Sequence, residues 1–180
     1  MKNGYLLRVI SGKYRGKGIV SPKDYSVRPT SQRVKESFFN IIRTGIYGKS
    51  FLDVFSGTGQ IGIEAASNGA EVVFVDADTK IIKENVSLIL KDEKPEIYCG
   101  NFKNILDNFR KTNRKFDFIF ADPPYNDGLY NEIIELSSDL LNSDGVLILE
   151  HSSDFVIECN NITDKRTYGS RALTFIGGNK

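Results

Sequence analysis

From residue 51 onward, short apolar runs alternate with stretches in which apolar residues recur every three or four positions. The runs FLDVF (51–55), EVVFVD (71–76), EIYCG (96–100), FDFIFA (116–121) and GVLILEH (145–151) predict strands. Helical spacing begins at about Gln60 and recurs over 79–91, 102–111 and 129–141. Five apolar strands separated by helices predict a mostly parallel sheet covered on both faces. Beyond them, DKRTYGSRALTFIG (164–177) turns near Gly169 between two strand-like runs and predicts a closing antiparallel hairpin.

The first 45 residues have a different rhythm. YLLRVISGKYRGKGIVSP (5–22) reads as two short strands around a glycine-rich turn. In VRPTSQRVKESFFNIIRTG (27–45), Pro29 keeps Arg28 extended, Thr30 is placed to cap a helix, and Val34, Phe38, Ile41 and Ile42 form one apolar stripe that Gly45 ends. Charge follows the same boundary. The chain carries a formal +1, yet residues 1–45 hold ten Lys and Arg against Asp24 and Glu36, a net +8, which leaves −7 for the rest. Such asymmetry predicts a basic extension for a polyanion (1–45) joined to an acidic enzyme body (46–180) in one compact unit.

With 180 residues and 26% charged positions, the chain fits one globular domain. Cys99 and Cys159 are far apart, His151 is the only histidine, and no run reaches membrane-spanning length, so neither a metal site nor a catalytic triad is expected. His151 reads as structural. MKNGYLLRVI lacks an apolar signal core, and a reduced cytoplasmic setting is the expectation.

Two motifs carry chemistry. Gly57, Gly59 and Gly62 match G-x-G-x-x-G after a strand, and Asp76 follows at the end of the next strand. Glycines admit a ligand to the backbone, the helix start offers N–H donors, and the downstream carboxylate accepts from ribose hydroxyls, as in dinucleotide folds. Asp53, within the preceding strand, sets the pattern apart: a pyrophosphate would meet its negative charge, whereas a cationic ligand would be attracted. The order D-x-x-x-G-x-G resembles the first motif of class I S-adenosylmethionine-dependent methyltransferases, whose fold is Rossmann-like. That resemblance implies that Asp53, Phe55, Ser56, Gly57, Thr58 and Gly59 hold the methionine part of the cofactor. It places the ribose at Asp76 and Ala77, and the adenine at Asn101 and Phe102 in CGNFKN.

The second motif is Asp122-Pro123-Pro124-Tyr125 at the end of a predicted strand. Taken alone, it is also a plain strand-stopping turn. Beside a methyl donor, the Asp122 carboxylate and Pro123 carbonyl can accept the two protons of an exocyclic amine and aim its lone pair. Pro124 stiffens the turn and Tyr125 can stack on the base. This resembles the amino-methyltransferase signature, which serves adenine N6, cytosine N4, guanine N2 and protein glutamine. VISGKYRGKGIVSP, VRPTSQRVKESFFNII, FLDVFSGTGQIGIEA, FADPPY and RTYGSRALTFI together resemble the bacterial 16S ribosomal RNA guanine-N2 methyltransferases of the RsmD type, nearly throughout. The resemblance implies methylation of one guanine N2 in 16S ribosomal RNA, within a small-subunit assembly particle and without an obligate protein partner. RNA phosphates are expected beside the active-site mouth at Lys13, Arg15, Lys17, Arg28, Thr30 and Arg33. A DNA adenine-N6 methyltransferase and a non-catalytic RNA-binding assembly module remain alternatives.

Overall fold

A computed structural model describes residues 7–21, 32–42, 44–124 and 127–178, excepting the side chains of residues 32, 33 and 127. Strands β1 (Leu7–Arg8) and β2 (Gly18–Ile19) form an antiparallel hairpin, followed by α1 (Gln32–Ile42). Then come β3 (Ser50–Val54), α2 (Gln60–Ser67), β4 (Glu71–Asp76), α3 (Lys80–Ile89), β5 (Glu96–Cys99), α4 (Phe102–Lys111), β6 (Phe116–Ala121), α5 (Asp127–Ser138), β7 (Leu141–Ser152), β8 (Ile162–Tyr168) and β9 (Arg171–Gly177).

Seven strands make one sheet in the order β5-β4-β3-β6-β7-β9-β8, parallel through β7 and antiparallel in the closing hairpin. Successive strands run outward from β3 on one side and then from β6 on the other. The β3/β6 boundary is therefore the switch point, where open α/β sheets bind ligands beyond the strand ends. One core, built with α1, α2 and α3, covers one face; a second, with α4 and α5, covers the other.

The basic segment shares the first core. Phe38 of α1 packs at ring-centroid distances of 6.5 Å from Phe51 and 5.4 Å from Phe120, in neighbouring strands. Val34, Phe38 and Ile42 are buried as the stripe requires, but Ile41 is 38% exposed and Phe39 takes its place inside. All eight residues of α2 are buried, because the sheet covers one side and the N-terminal hairpin the other. Inside that sandwich Glu64 is fully buried. Its carboxylate accepts from Ile10 N (2.9 Å), Ser11 N (2.7 Å) and Ser11 Oγ (2.7 Å), and Lys35 Nζ lies 3.3 Å away. Lys35, counted among the cations of the basic segment, is thus withdrawn from solvent; it also donates to Arg8 O at 2.7 Å.

The helix expected over 129–141 stops at Ser138. Leu140 O accepts from Phe116 N at 2.8 Å and Leu141 pairs with Phe116, so these leucines open β7 instead of closing α5. The ladder then jumps to Phe118↔Val146, and Gly145 lies inside the bulge, where a Cβ would meet Phe116 O at 2.9 Å. His151 is buried; its Nδ1 lies 2.7 Å from Ser152 O and its Nε2 2.8 Å from Thr174 Oγ1, so both ring nitrogens serve the core.

Candidate active site at the switch point

Asp53 stands in β3 opposite Phe74 of β4 and Phe120 of β6. Its carboxylate is buried and accepts from Gly62 N, in the first turn of α2, at 2.9 Å. Gly62 is required there: a Cβ would meet Phe74 Cε1 at 2.2 Å and Asp53 Oδ2 at 3.0 Å, forcing the helix off the strand. Beyond β3 the chain turns sharply through Phe55, which has φ 60°. Ser56 Oγ donates to Asp53 O at 2.6 Å and accepts from Val75 N at 3.2 Å, tying the loop to β4. Gly57 N donates to Asp76 Oδ2 (2.7 Å), and Asp78 N to Asp76 Oδ1 (3.0 Å). The carboxylate expected to bind a ribose is therefore fixed by two backbone donors, and each oxygen keeps acceptor capacity.

Thr58 O accepts from Asn85 Nδ2 at 2.8 Å, while Asn85 also bonds Val20 N (2.7 Å) and Val20 O (3.0 Å), so one buried amide joins the loop to the end of the hairpin. On the adenine side, Phe102 packs on Phe55 with centroids 4.8 Å apart, and Ala77 is exposed. Asn101 caps α4, its Oδ1 accepting from Lys103 N at 2.9 Å. Gln60 Oε1, at the start of α2, is buried without a hydrogen-bond partner among the described residues.

Asp122 follows β6 directly and is half-buried; Pro123 is buried and Pro124 exposed. Tyr125 lies outside the described residues, as do Arg28 and Thr30, and the side chain of Arg33. Asp53, Asp76 and Asp122 stand at the carboxyl ends of the adjacent strands β3, β4 and β6. Burial chiefly, with the charges of Asp76 and Asp122 adding and the Gly62 N–H opposing, pushes the Asp53 carboxyl from an ordinary 3.8 up to about 8. A pKa raised on folding contributes stability that is full below the unfolded value and lost as pH rises through the folded one. Asp53→Asn keeps an acceptor for Gly62 N and removes the titration. The variant should gain several degrees in Tm at pH 8, each kcal/mol being worth about 2–4 °C in a chain of this size, with the gain vanishing near pH 4. Thermal scans across that range check it; a lower Tm at pH 8 would show that the ionised acid is stabilising.

Two residues at this site are absent from the sequence reading. Arg171 Nη2 lies 3.6 Å from Asp122 Oδ1, and its Nε lies 3.2 Å from Oε1 of the buried Glu150. The signal available was an acid in the apolar run GVLILEH, since a buried charge requires a partner.

Of the cations assigned to RNA, the described ones, Lys13, Arg15 and Lys17, are placed differently from expectation. The hairpin turn packs on the C-terminal end of α2: Lys13 N donates to Ser67 O at 2.7 Å and Tyr14 N to Ser67 Oγ at 2.9 Å. Lys13 Nζ lies 3.3 Å from Asp92 and 2.9 Å from Glu93, ahead of β5. This is the amino end of the parallel strands, opposite Asp122, so the turn is not beside the mouth. Helices antiparallel to their strands bring their C-termini to that end, and the hairpin follows α2. Arg15 and Lys17 are exposed there without an ion-pair partner among the described residues.

The model of the family described as Conserved hypothetical protein 95 matches residues 7–177. The candidate rRNA methyltransferase YlbH of Bacillus subtilis is 34% identical over 173 residues, covering 91% of this chain and 94% of its own. Ribosomal RNA small subunit methyltransferase D of Haemophilus influenzae is 30% identical over 155 residues, covering 82% and 80%. A hypothetical protein of Thermus thermophilus superposes with a TM-score of 0.84 at 29% identity over 96% of this chain and 99% of that one. The Escherichia coli candidate methyltransferase yhhF does so with 0.83 at 25%, over 97% and 99%.

Proposed function

Because the chain belongs to the Conserved hypothetical protein 95 family, together with the small-subunit ribosomal RNA methyltransferases D, we propose that it methylates the exocyclic N2 of one guanine in 16S ribosomal RNA, with S-adenosylmethionine as donor, in a cytoplasmic small-subunit assembly particle. The observation that carries this reading is the placement of Asp53, Asp76 and Asp122 at the carboxyl ends of the adjacent strands β3, β4 and β6, at the switch point. A cofactor bearing an ammonium and a sulfonium would draw the Asp53 carboxyl towards its ionised form, whereas a pyrophosphate would oppose it. The unpaired acceptor of Gln60 at the glycine loop supports a bound donor as well.

Asp53 and the loop Phe55, Ser56, Gly57, Thr58 and Gly59 would hold the methionine part, Asp76 and Ala77 the ribose, and Asn101 and Phe102 the adenine. Bound there, the cofactor supplies a methyl carbon activated by positive sulfur. Asp122 and Pro123 O accept from the guanine N2 amine, orient its lone pair, and stabilise the positive charge that develops on nitrogen. Pro124 holds the turn and Tyr125 stacks on the flipped base.

We assign phosphate contacts to residues 1–45: Lys13, Arg15 and Lys17 at the turn, with Arg28, Thr30 and Arg33. A strand of five to six residues spans about 17–20 Å, so RNA touching both the turn and Asp122 must run the depth of the domain. This favours a folded RNA or a particle over a short oligonucleotide. No helix among the described residues is long and apolar enough to cross a membrane.

The test is incubation with labelled S-adenosylmethionine and 16S ribosomal RNA, small-subunit particles or DNA, followed by identification of the methylated nucleoside. N2-methylguanosine is expected. N6-methyladenine in DNA would overturn the substrate, and RNA binding with no transfer to any substrate would overturn the enzyme. Arg15→Ala with Lys17→Ala should reduce the salt slope of RNA binding by about two, with cofactor affinity unchanged. An unaltered slope would move recognition away from the turn.

A further inference from the structure

Arg171 opens β9, two strands away from Asp122, and its guanidinium reaches back over the end of β7. It meets two acids through different nitrogens: Nε faces Glu150, which is 1% exposed, and Nη2 faces Asp122. A buried carboxylate at the root and a half-buried one at the tip define an anchored fork. The rigid planar guanidinium can face two carboxylates at once from a fixed anchor, which a single flexible ammonium cannot do. We propose that Arg171, held by Glu150, is a positioning residue that sets the rotation and charge state of the Asp122 carboxylate. This rests on the assignment of Asp122 to amine recognition, although the contact itself does not.

The chemistry gives the fork a task. Asp122 is an acid in an acidic neighbourhood: its charge is among those that raise the Asp53 pKa, and acceptance from an amine needs the Asp122 carboxylate ionised. A protonated Asp122 cannot accept the amine N–H at that oxygen. The guanidinium is a countercharge arriving from the β7 and β9 side, and it meets the carboxylate at Oδ1. The closing hairpin thereby contributes to the active site as well as to the edge of the sheet.

The test compares wild type with Arg171→Met, Arg171→Lys and Glu150→Gln. Carbon-13 titration of labelled aspartates reads Asp122 directly and needs no turnover. Its apparent pKa should rise by about one unit or more in Arg171→Met, and less in Arg171→Lys and Glu150→Gln. In methyl transfer, Arg171→Met should lower kcat about tenfold or more and move the acid limb of the pH profile upward, with RNA KM and S-adenosylhomocysteine affinity near wild type and Tm lowered because the buried Glu150 loses a cation partner. In an Asp122→Ala background the same substitution should have no further effect on residual turnover. An unchanged Asp122 titration overturns the proposal, and so do kcat losses that multiply in the double variant. A shifted titration in a protein that methylates nothing would retain the positioning role and overturn only the enzymatic reading.

Discussion

Asp122→Ala is expected to lower methyl transfer by about 10²–10⁴-fold, the range typical of a removed proton acceptor, while S-adenosylhomocysteine binds as in wild type. The separation follows from geometry. Asp122 belongs to the turn after β6, whereas the acid under the glycine loop is Asp53 in β3, fixed by Gly62 N and not by Asp122. Asp122 acts on the cofactor side through charge, as one of the repulsions that raise the Asp53 pKa. Its loss should therefore ease Asp53 ionisation and leave affinity for a cationic cofactor equal or slightly improved near neutral pH. Arg171 retains Glu150, so the closing hairpin keeps its anchor. Calorimetry with S-adenosylhomocysteine beside single-turnover methylation separates the outcomes. Full cofactor affinity with turnover lost assigns Asp122 to the amine; both lost together would make it a structural residue of the loop.

The two motifs were legible because each requires a local order of residues. A strand acid, three glycines and a downstream acid must follow one another for the chain to turn closely past a ligand, and Asp-Pro-Pro-Tyr must end a strand to face it. The alternation of apolar runs likewise carried the sheet and its closing hairpin. What stayed hidden depends on pairs far apart in the chain. Lys35 counts among the cations of the basic segment, and only packing of hairpin on helix puts it in the core beside Glu64. The location of Lys13 was equally hidden, since it follows from the hairpin lying along α2. The single acids in GIEAAS and GVLILEH were the available clues: Glu64 and Glu150 stand in apolar stretches whose burial obliges each to find a cation.

Glu64→Ala should be among the most damaging single substitutions outside the site. It would leave the Lys35 ammonium buried beside Arg8 O and strand the N–H groups of Ile10 and Ser11. Removing one member of a buried pair costs about 3–5 kcal/mol. At about 2–4 °C per kcal/mol the expected loss in Tm is about 6–20 °C. Burial already lowers the Lys35 pKa, with Glu64 acting in the opposite direction, so removing Glu64 should drive Lys35 further towards neutrality. Glu64→Gln keeps acceptor capacity for the hairpin and should fall between wild type and Ala. Lys35→Met combined with Glu64→Gln should recover stability, because an apolar side chain then replaces the stranded charge. The hairpin meets α2 at Glu64 and the glycine loop through Asn85 and Val20, so loosening it should also raise proteolysis at the turn before the sheet unfolds. Thermal denaturation with limited proteolysis of the four proteins checks this. A Tm for Glu64→Ala within 2 °C of wild type, roughly the effect of a surface substitution, would mean that the hairpin is held by apolar packing alone.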